Sequence, residues 1–406
     1  MKAKLLCPIL AGIALVGCVK EEMLNHNTKV EQKIAFEAPL LYDNVESKAP
    51  VPGEINGTIY PAAEKFIIYA AQHSGDFVSW PAETTNLPVG STGNGLTPFN
   101  GQTLERNSTF DAWVPTYEEE GADGKTYTRY YYWPIGKKLS FGAMSPAELE
   151  CTKTYGPEGL TIEGYTVPEI ATEQIDVMFA KRLTNQTADN MVSIAGSYSG
   201  IQLQFQHALS SIHFSVSKAS VEHDVQLTEI KLTNIYGSGN FSEGIEEGAT
   251  LYERNGDDPT VVPVWETTGN ILTDGYVSFT GNIDFPVSPR YVTDIVDEFD
   301  SEQLNNTSAP LLIIPQEISE ETELVVKYII NDQPQEKSYK LKGLMTLTTG
   351  GIEDSVNKGE AINEWKVGHK YTYRLHYSAE SATDNIIMFG PNVTDWTNVQ
   401  IIQLEL

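Results

Sequence analysis

Residues 201–242 read IQLQFQHALSSIHFSVSKASVEHDVQLTEIKLTNIYGSGNFS. Ile201, Leu203 and Phe205 alternate with Gln202, Gln204 and Gln206. That period of two marks a strand with one face in a core and the other in water. The phase then flips, and Ile212, Phe214 and Val216 take the even positions against Ser211, His213 and Ser215. A strand that keeps its apolar side inward cannot change parity without a bulge or bend, which places one within His207 to Ser210. The second half repeats the device: Val225 and Leu227 hand over to Ile230 and Leu232, and Gly237-Ser238-Gly239-Asn240 reads as a closing turn. The stretch therefore predicts two long antiparallel strands that open a second domain, with one sandwich before them and another after.

The rest of the chain agrees with an all-β fold. Of 406 residues 20% are charged and 10% aromatic, with Pro and Gly recurring throughout, and no amphipathic window of period 3.6 is long enough to name a helix. Asp and Glu outnumber Lys and Arg by 55 to 27, a net charge of -28. A surface that acidic repels nucleic acid and anionic membranes, so nucleic acid is not expected as a partner.

The first residues read as a targeting segment. Lys2 and Lys4 precede the apolar run Leu5 to Val16, too short to span a bilayer comfortably. Leu15-Val16-Gly17-Cys18 resembles a bacterial lipobox, with residues 1–17 as signal peptide and Cys18 acylated. The alternative is a chance cysteine at the end of an ordinary signal. Several acyl chains would hold the protein far more firmly than one. Val19-Lys20-Glu21-Glu22 resembles an export signal of lipoproteins sent to the cell surface, or is a solvated start to the tether 18–32. Cys7 leaves with the signal and Cys18 is spent on lipid, so Cys151 has no intrachain partner; beside Glu148, Glu150 and Lys153 it reads as a quiet thiol.

Along the chain, Ile34, Phe36, Ala38 and Leu40 form a short first strand, followed by a turn-rich link around Lys48 and Pro50. Lys65 to Ala70 is a strand, and residues 82–109 read as long loops. Tyr130 to Pro134 and Lys138 to Pro146 look like aromatic strands stopped by proline, suited to sandwich edges. Thr172 to Ala180 is one more strand before a polar boundary at Thr184 to Asn190. This gives domains at 33–195 and 196–406. In the second, Glu243 to Glu247 and Asp294 to Asp300 read as acidic loops, and Leu311 to Gln316 as a strand buried on both faces. Glu323 to Ile330 alternates, Trp365 to Leu375 is a turn feeding a strand, and Asn385 to Leu406 holds two more.

Reactive constellations do not emerge. There is no His-Glu-x-x-His, Cys-x-x-Cys or Gly-x-Ser-x-Gly, and Gly124-Lys125-Thr126 reads as a turn. Asp294, Asp297, Glu298 and Asp300 lack calcium-loop spacing. A glycan hydrolase would need a carboxylate pair that no spacing selects. No enzyme activity, cofactor or metal is expected.

Several stretches together resemble the fimbrillin family of surface lipoproteins, the subunits of type V pili. They are Tyr132-Trp133-Pro134 with Leu139-Ser140-Phe141, Gln174 to Ala180, Phe205 to Ile212, Leu311 to Gln316, and Trp365 to Tyr373. The resemblance implies two transthyretin-like β-sandwich domains in tandem after the lipoprotein signal. It implies a fimbrial subunit on the outer membrane, then in the fimbrium, whose N-terminal strand is removed by a protease. The C-terminal strand of the next subunit then fills the groove. The displaced strand would be that of Ile34 and Phe36, and the donor Ile402, Leu404 and Leu406 within residues 399–406. The family is typically cut after an Arg, but the first Arg here is Arg106, so Lys48 is the candidate processing site. If nothing cuts there, the protein remains a lipid-anchored anchor, accessory subunit or adhesin. Such an adhesin would bind a host or glycan ligand through long loops, with Tyr127 to Trp133 as a candidate surface. Asp354-Ser355-Val356 resembles an O-glycosylation acceptor at Ser355.

Overall fold

The parity flip marks a change of core. In the computed structural model, Ile201, Leu203 and Phe205 are buried in one apolar cluster, while Ile212, Phe214 and Val216 are buried in a second, larger one. Gln204–His207 is a strand of the first sheet, paired antiparallel with Met178–Gln186. Ser210–Lys218 lies in a different sheet, alongside His369–Ser378. The chain crosses between them at Ala208 and Leu209, within the predicted bend. The structure describes residues 33–37, 39–41, 60–81, 85–86, 96–97, 99–191, 200–221, 224–245, 263–293, 307–345, 361–378 and 385–395.

The first sheet runs, in spatial order, Leu40–Leu41, Gln204–His207, Met178–Gln186, Lys138–Ser145 and Phe66–His73, with shorter strands beyond. Both of its faces are covered. Phe66, Ile68, Ala70, Leu139, Phe141 and Ala143 face the smaller cluster, and Ile67, Tyr69, Ala71 and Met144 the larger. Apolar side chains on successive residues of Phe66–His73 follow from that double burial. Thr152–Gly156, Gly159–Thr166, Ile235–Ser242 and Val264–Leu272 form a four-stranded sheet. Its Tyr155, Leu160, Ile162, Phe241 and Trp265 join the larger core.

Two further sheets close the rest of that core. Ser210–Lys218 pairs with His369–Ser378 in parallel, matching Ile212 with Tyr371, Phe214 with Tyr373 and Val216 with Leu375. Facing them, Val225–Thr233 sits between Tyr276–Asp284 and Glu323–Ile330. The handover from Leu227 to Ile230 is a register shift between Leu227 and Glu229 in both ladders. Glu323–Ile330 alternates as read, with Leu324, Val326, Tyr328 and Ile330 buried.

Several sequence readings are corrected. Ser210–Lys218 and Val225–Thr233 do not pair with each other; they lie in separate sheets. Gly237 to Asn240 is not a turn but the middle of Ile235–Ser242, paired on both sides. Gly237 serves close packing, because a Cβ there would run into the Tyr276 hydroxyl and Leu272. Asn234, whose φ is 57°, stands where the chain passes from Val225–Thr233 in one sheet to Ile235–Ser242 in another. Lys138–Ser145 is an interior strand, not an edge, because the proline follows the last paired residue and leaves the ladder intact. Thr172 to Val177 forms a 3-10 turn and an extended link, and the strand is Met178–Gln186, running into the presumed polar boundary. Within 82–109, Asn100–Leu104 pairs with Phe66–His73. Glu243 is buried, not in a solvated loop. Of the two strands expected in the tail, Asn385–Asp395 is present and the second lies outside the described residues. The sheets do not respect a division at 195/196: residues from both sides share the first sheet, the four-stranded sheet and the larger core.

Candidate functional site

The leading segment, Lys33 to Leu41, is inserted between two other pieces of backbone. On one side Ile34 N–H donates to Tyr131 O at 2.9 Å and Phe36 N–H to Trp113 O at 2.8 Å, and Trp113 N–H returns to Phe36 O at 2.9 Å. On the other side Glu37 N–H donates to Ile201 O at 3.1 Å, and Ile201 N–H to Ala35 O at 2.8 Å. Leu40–Leu41 continues that side as a parallel ladder with Gln204–Phe205. Trp113, Phe36 and Ile201 thus form three adjacent rungs, antiparallel on the Trp113 side and parallel on the Ile201 side.

The sequence alternation predicts one wet face, but Ile34, Ala35, Phe36 and Glu37 are all buried. Ile34 and Phe36 enter the smaller cluster with Phe66, Phe141, Trp113 and Phe205. The Phe36 ring meets Phe141 edge-on at 5.2 Å and Phe66 at 6.2 Å. Ala35 faces the other way, into a pocket of Ala112 and Val114. Lys33 sits with its ammonium 3.9 Å from the centre of the Tyr130 ring and 4.4 Å from that of Phe110.

Gly200 makes the fit possible. A Cβ at that position would overlap Glu37 N and Phe36 C, so only glycine lets the segment approach. Each buried large side chain contributes roughly 1.5–3 kcal/mol, and each net backbone hydrogen bond about 1 kcal/mol. The segment is held firmly, yet every one of these contacts to residues beyond 60 is non-covalent.

The structure brings Ile34 and Phe36 together in this seat. Cys18, Lys48, Ser355, Ile402, Leu404 and Leu406 lie outside the described residues, as do Asp294 to Asp300. Neither Trp113 nor Gly200 lies in a periodic run, so spacing alone gives no sign of their part in this seat. The aromatic stretch Tyr127 to Trp133 divides in two. Thr126–Tyr130 forms an exposed hairpin with Thr116–Glu120, tied by an Arg129–Glu119 pair at 2.7 Å, while Tyr131 and Trp133 pack on the smaller cluster. Gly124-Lys125-Thr126 turns that hairpin, with Gly124 at φ 72°.

Several buried polar groups were also invisible to periodicity. His207 Nδ1 lies 3.0 and 2.9 Å from the two carboxylate oxygens of Asp176, with both residues buried beside the crossover. Arg182 is buried against Phe77, Trp80 and Tyr155 and donates to Gly156 O at 2.8 Å and Pro157 O at 3.0 Å. Glu243 accepts from Leu160 N–H at 2.8 Å, and burial raises its pKa to about 7 against the opposing pull of that bond and of Arg182. Cys151 is partly buried, and burial pushes its thiol up, away from the thiolate that reactivity needs. None of these groups converges on an open cleft with a nucleophile.

A family model described as fimbrillin-like matches residues 95–396. Among solved structures, a fimbrial protein from Bacteroides vulgatus is 19% identical, with 89% of this chain and 100% of that chain covered and a TM-score of 0.44. A fimbrilin from Porphyromonas gingivalis is 8% identical, with 90% and 98% covered and a TM-score of 0.36. The tip fimbrial protein Mfa3 from Porphyromonas gingivalis is 9% identical, with 90% and 100% covered and a TM-score of 0.36. No curated protein matches the chain. With three quarters of its length under one family model, the chain belongs to the fimbrillin-like family.

Proposed function

We propose that the protein is a structural subunit of a cell-surface fimbria, exported as an outer-membrane lipoprotein through Cys18 and assembled by strand exchange. The observation that carries this reading is the two-sided seating of Lys33 to Glu37, which behaves as an inserted strand. If the chain is cut at Lys48, the segment bearing Ile34 and Phe36 is held by non-covalent contacts alone. Its departure bares the donors and acceptors of Trp113 and Ile201 above an apolar floor, a template for an incoming strand. Ile402, Leu404 and Leu406 of another subunit offer the matching alternation.

Delivery of that strand has a geometric cost. Asp395 pairs with His369 next to the crossover, where Gly368 N–H donates to Leu209 O at 2.9 Å. Residues 396–406 reach about 40 Å at full extension. Among the described residues Asn385–Asp395 is the last strand of its sheet and pairs with one strand, so peeling it away lengthens the reach. Deleting Ile402 to Leu406 tests the reading: folded monomers without polymers are expected, and polymers that persist would contradict it. The second reading is a lipid-anchored, non-polymerising anchor or adhesin with a host or glycan ligand. It is favoured by the lack of any Arg before Arg106. Surface protein that retains Cys18 and its acyl chains would support it.

A further inference from the structure

The side chain of Lys33 ends in a corner made by two aromatic rings. Its ammonium lies 3.9 Å from the centre of the Tyr130 ring and 4.4 Å from that of Phe110. The rings stand at 87° to each other with their centroids 5.5 Å apart. Both distances are within reach of a cation held over a ring face. A ring face is the negative side of the aromatic quadrupole, so the corner attracts cations and repels carboxylates.

The corner belongs to the body of the protein. Phe110 and Tyr130 pack against the cluster of Ala35, Ala112 and Val114. Of these partners only Ala35 would leave with the leading segment. Phe110 N–H also donates to Asn107 O at 3.2 Å, and Tyr130 ends the hairpin strand Thr126–Tyr130, paired with Thr116.

The position of the corner along the seat is set by the ladder. Lys33 bridges to Tyr132, and the next residue, Ile34, donates to Tyr131 O and enters the smaller cluster. A strand that replaces the segment and sets its first apolar side chain where Ile34 lies therefore brings the preceding residue to the rings.

The chain's own C-terminal segment has no cation to offer there. No Lys, Arg or His occurs after His376. With Ile402 and Leu404 in the places of Ile34 and Phe36, Ile401 meets the rings. With the strand reversed and Leu404 in the place of Ile34, Glu405 meets them, an anion against two negative faces.

We infer that Phe110 and Tyr130 form a cation subsite of the strand seat, and that the seat selects an incoming strand with Lys or Arg directly before its first buried apolar residue. This rests on the strand-exchange reading and adds the chemistry of the partner. The matched donor is a different subunit, whose terminal strand reads Lys or Arg, apolar, any residue, apolar. A second copy of this chain offers the alternation but leaves the corner without a cation, so it competes poorly against such a strand.

The test starts from the full chain with a site-specific protease sequence in place of residues 46–50, cut after folding. Synthetic peptides of residues 397–406 then compete for the seat: the natural sequence, Ile401→Lys, and Gln403→Lys as a control for general attraction to an acidic protein. The Ile401→Lys peptide is expected to bind about fivefold tighter than the natural one, the gain of an ammonium placed over rings. That gain should vanish in a Tyr130→Leu chain, whereas any gain from Gln403→Lys should not change. Equal binding of the natural and Ile401→Lys peptides, or a gain that survives Tyr130→Leu, would overturn the subsite. Entry of no peptide at all would contradict strand exchange, and the subsite is then decided in the uncut chain. There Lys33→Met and Tyr130→Leu combined should speed amide exchange at Ile34 by less than the product of their separate factors. A full product would overturn the subsite.

Discussion

Phe36 and Trp113 exchange both of their backbone hydrogen bonds, at 2.8 and 2.9 Å, although 77 residues separate them in the chain. The pair makes the leading segment part of the fold's first core and not a tail lying on it. Phe36 also presses its ring against Phe66 and Phe141. Phe36→Ala should therefore destabilise the uncleaved chain by about 3–5 kcal/mol, the range for a buried Phe truncated in a core. Denaturant unfolding followed by tryptophan fluorescence would measure it.

Gly200→Ala acts on the same seat without removing an apolar contact. The added methyl meets backbone, which cannot swing aside as a side chain can, so the leading segment must lift. Amide exchange at Phe36 and Ile201 should accelerate at least tenfold in this variant, while exchange in Glu323–Ile330 stays as in the wild type. Unchanged protection at Phe36 would mean that the close approach at Gly200 does not govern the seating.

Asp176 and His207 join the link before Met178 to the last residue ahead of the crossover. Asp176→Ala leaves a buried imidazole without its carboxylate partner and should cost roughly 1–3 kcal/mol, the range for a buried polar group that loses its hydrogen bond. The double variant with His207→Ala should cost less than the sum of the two single changes by at least about 0.5 kcal/mol, the signature of direct coupling. Unfolding midpoints of the four proteins complete the cycle.

Glu243 gives a pH dependence of definite sign. Its carboxyl is raised from 4.5 to about 7 by burial, so the folded state favours the protonated form. The stability it supplies is complete below pH 4.5 and is lost as pH rises through 7, a difference of about 3 kcal/mol. Glu243→Gln keeps an acceptor for Leu160 N–H and removes the titration. The variant should match the wild type near pH 4 and exceed it in melting temperature at pH 8. A constant offset across that range would refute the assignment.

The sequence carried the fold where side chains alternate. The parity flip at His207 to Ser210 and the shift at Leu227 were legible because each core face demands apolar side chains in one phase. Gly237 and Gly239 misled, since a glycine needed for room resembles one needed for a turn. The interior place of Lys138–Ser145 was hidden because a proline after the last rung looks the same as one that ends an edge strand. In the site, Ile34 and Phe36 were readable from their spacing. Trp113 and Gly200 were not, because their importance arises from a meeting across the chain that no local pattern records. The burial of Glu37, Arg182 and Glu243 was equally hidden, since charged residues ordinarily signal solvent.

The exchange of the leading strand is tested most directly by peptide mass mapping of fibres purified from the cell surface, with hydrogen exchange on the same material. Fibres should lack peptides containing Ile34 and Phe36, begin after Lys48, and keep the Trp113 amide as protected as in the uncleaved monomer. Fibres that retain Ile34 and Phe36, or in which Trp113 exchanges freely, would contradict the account.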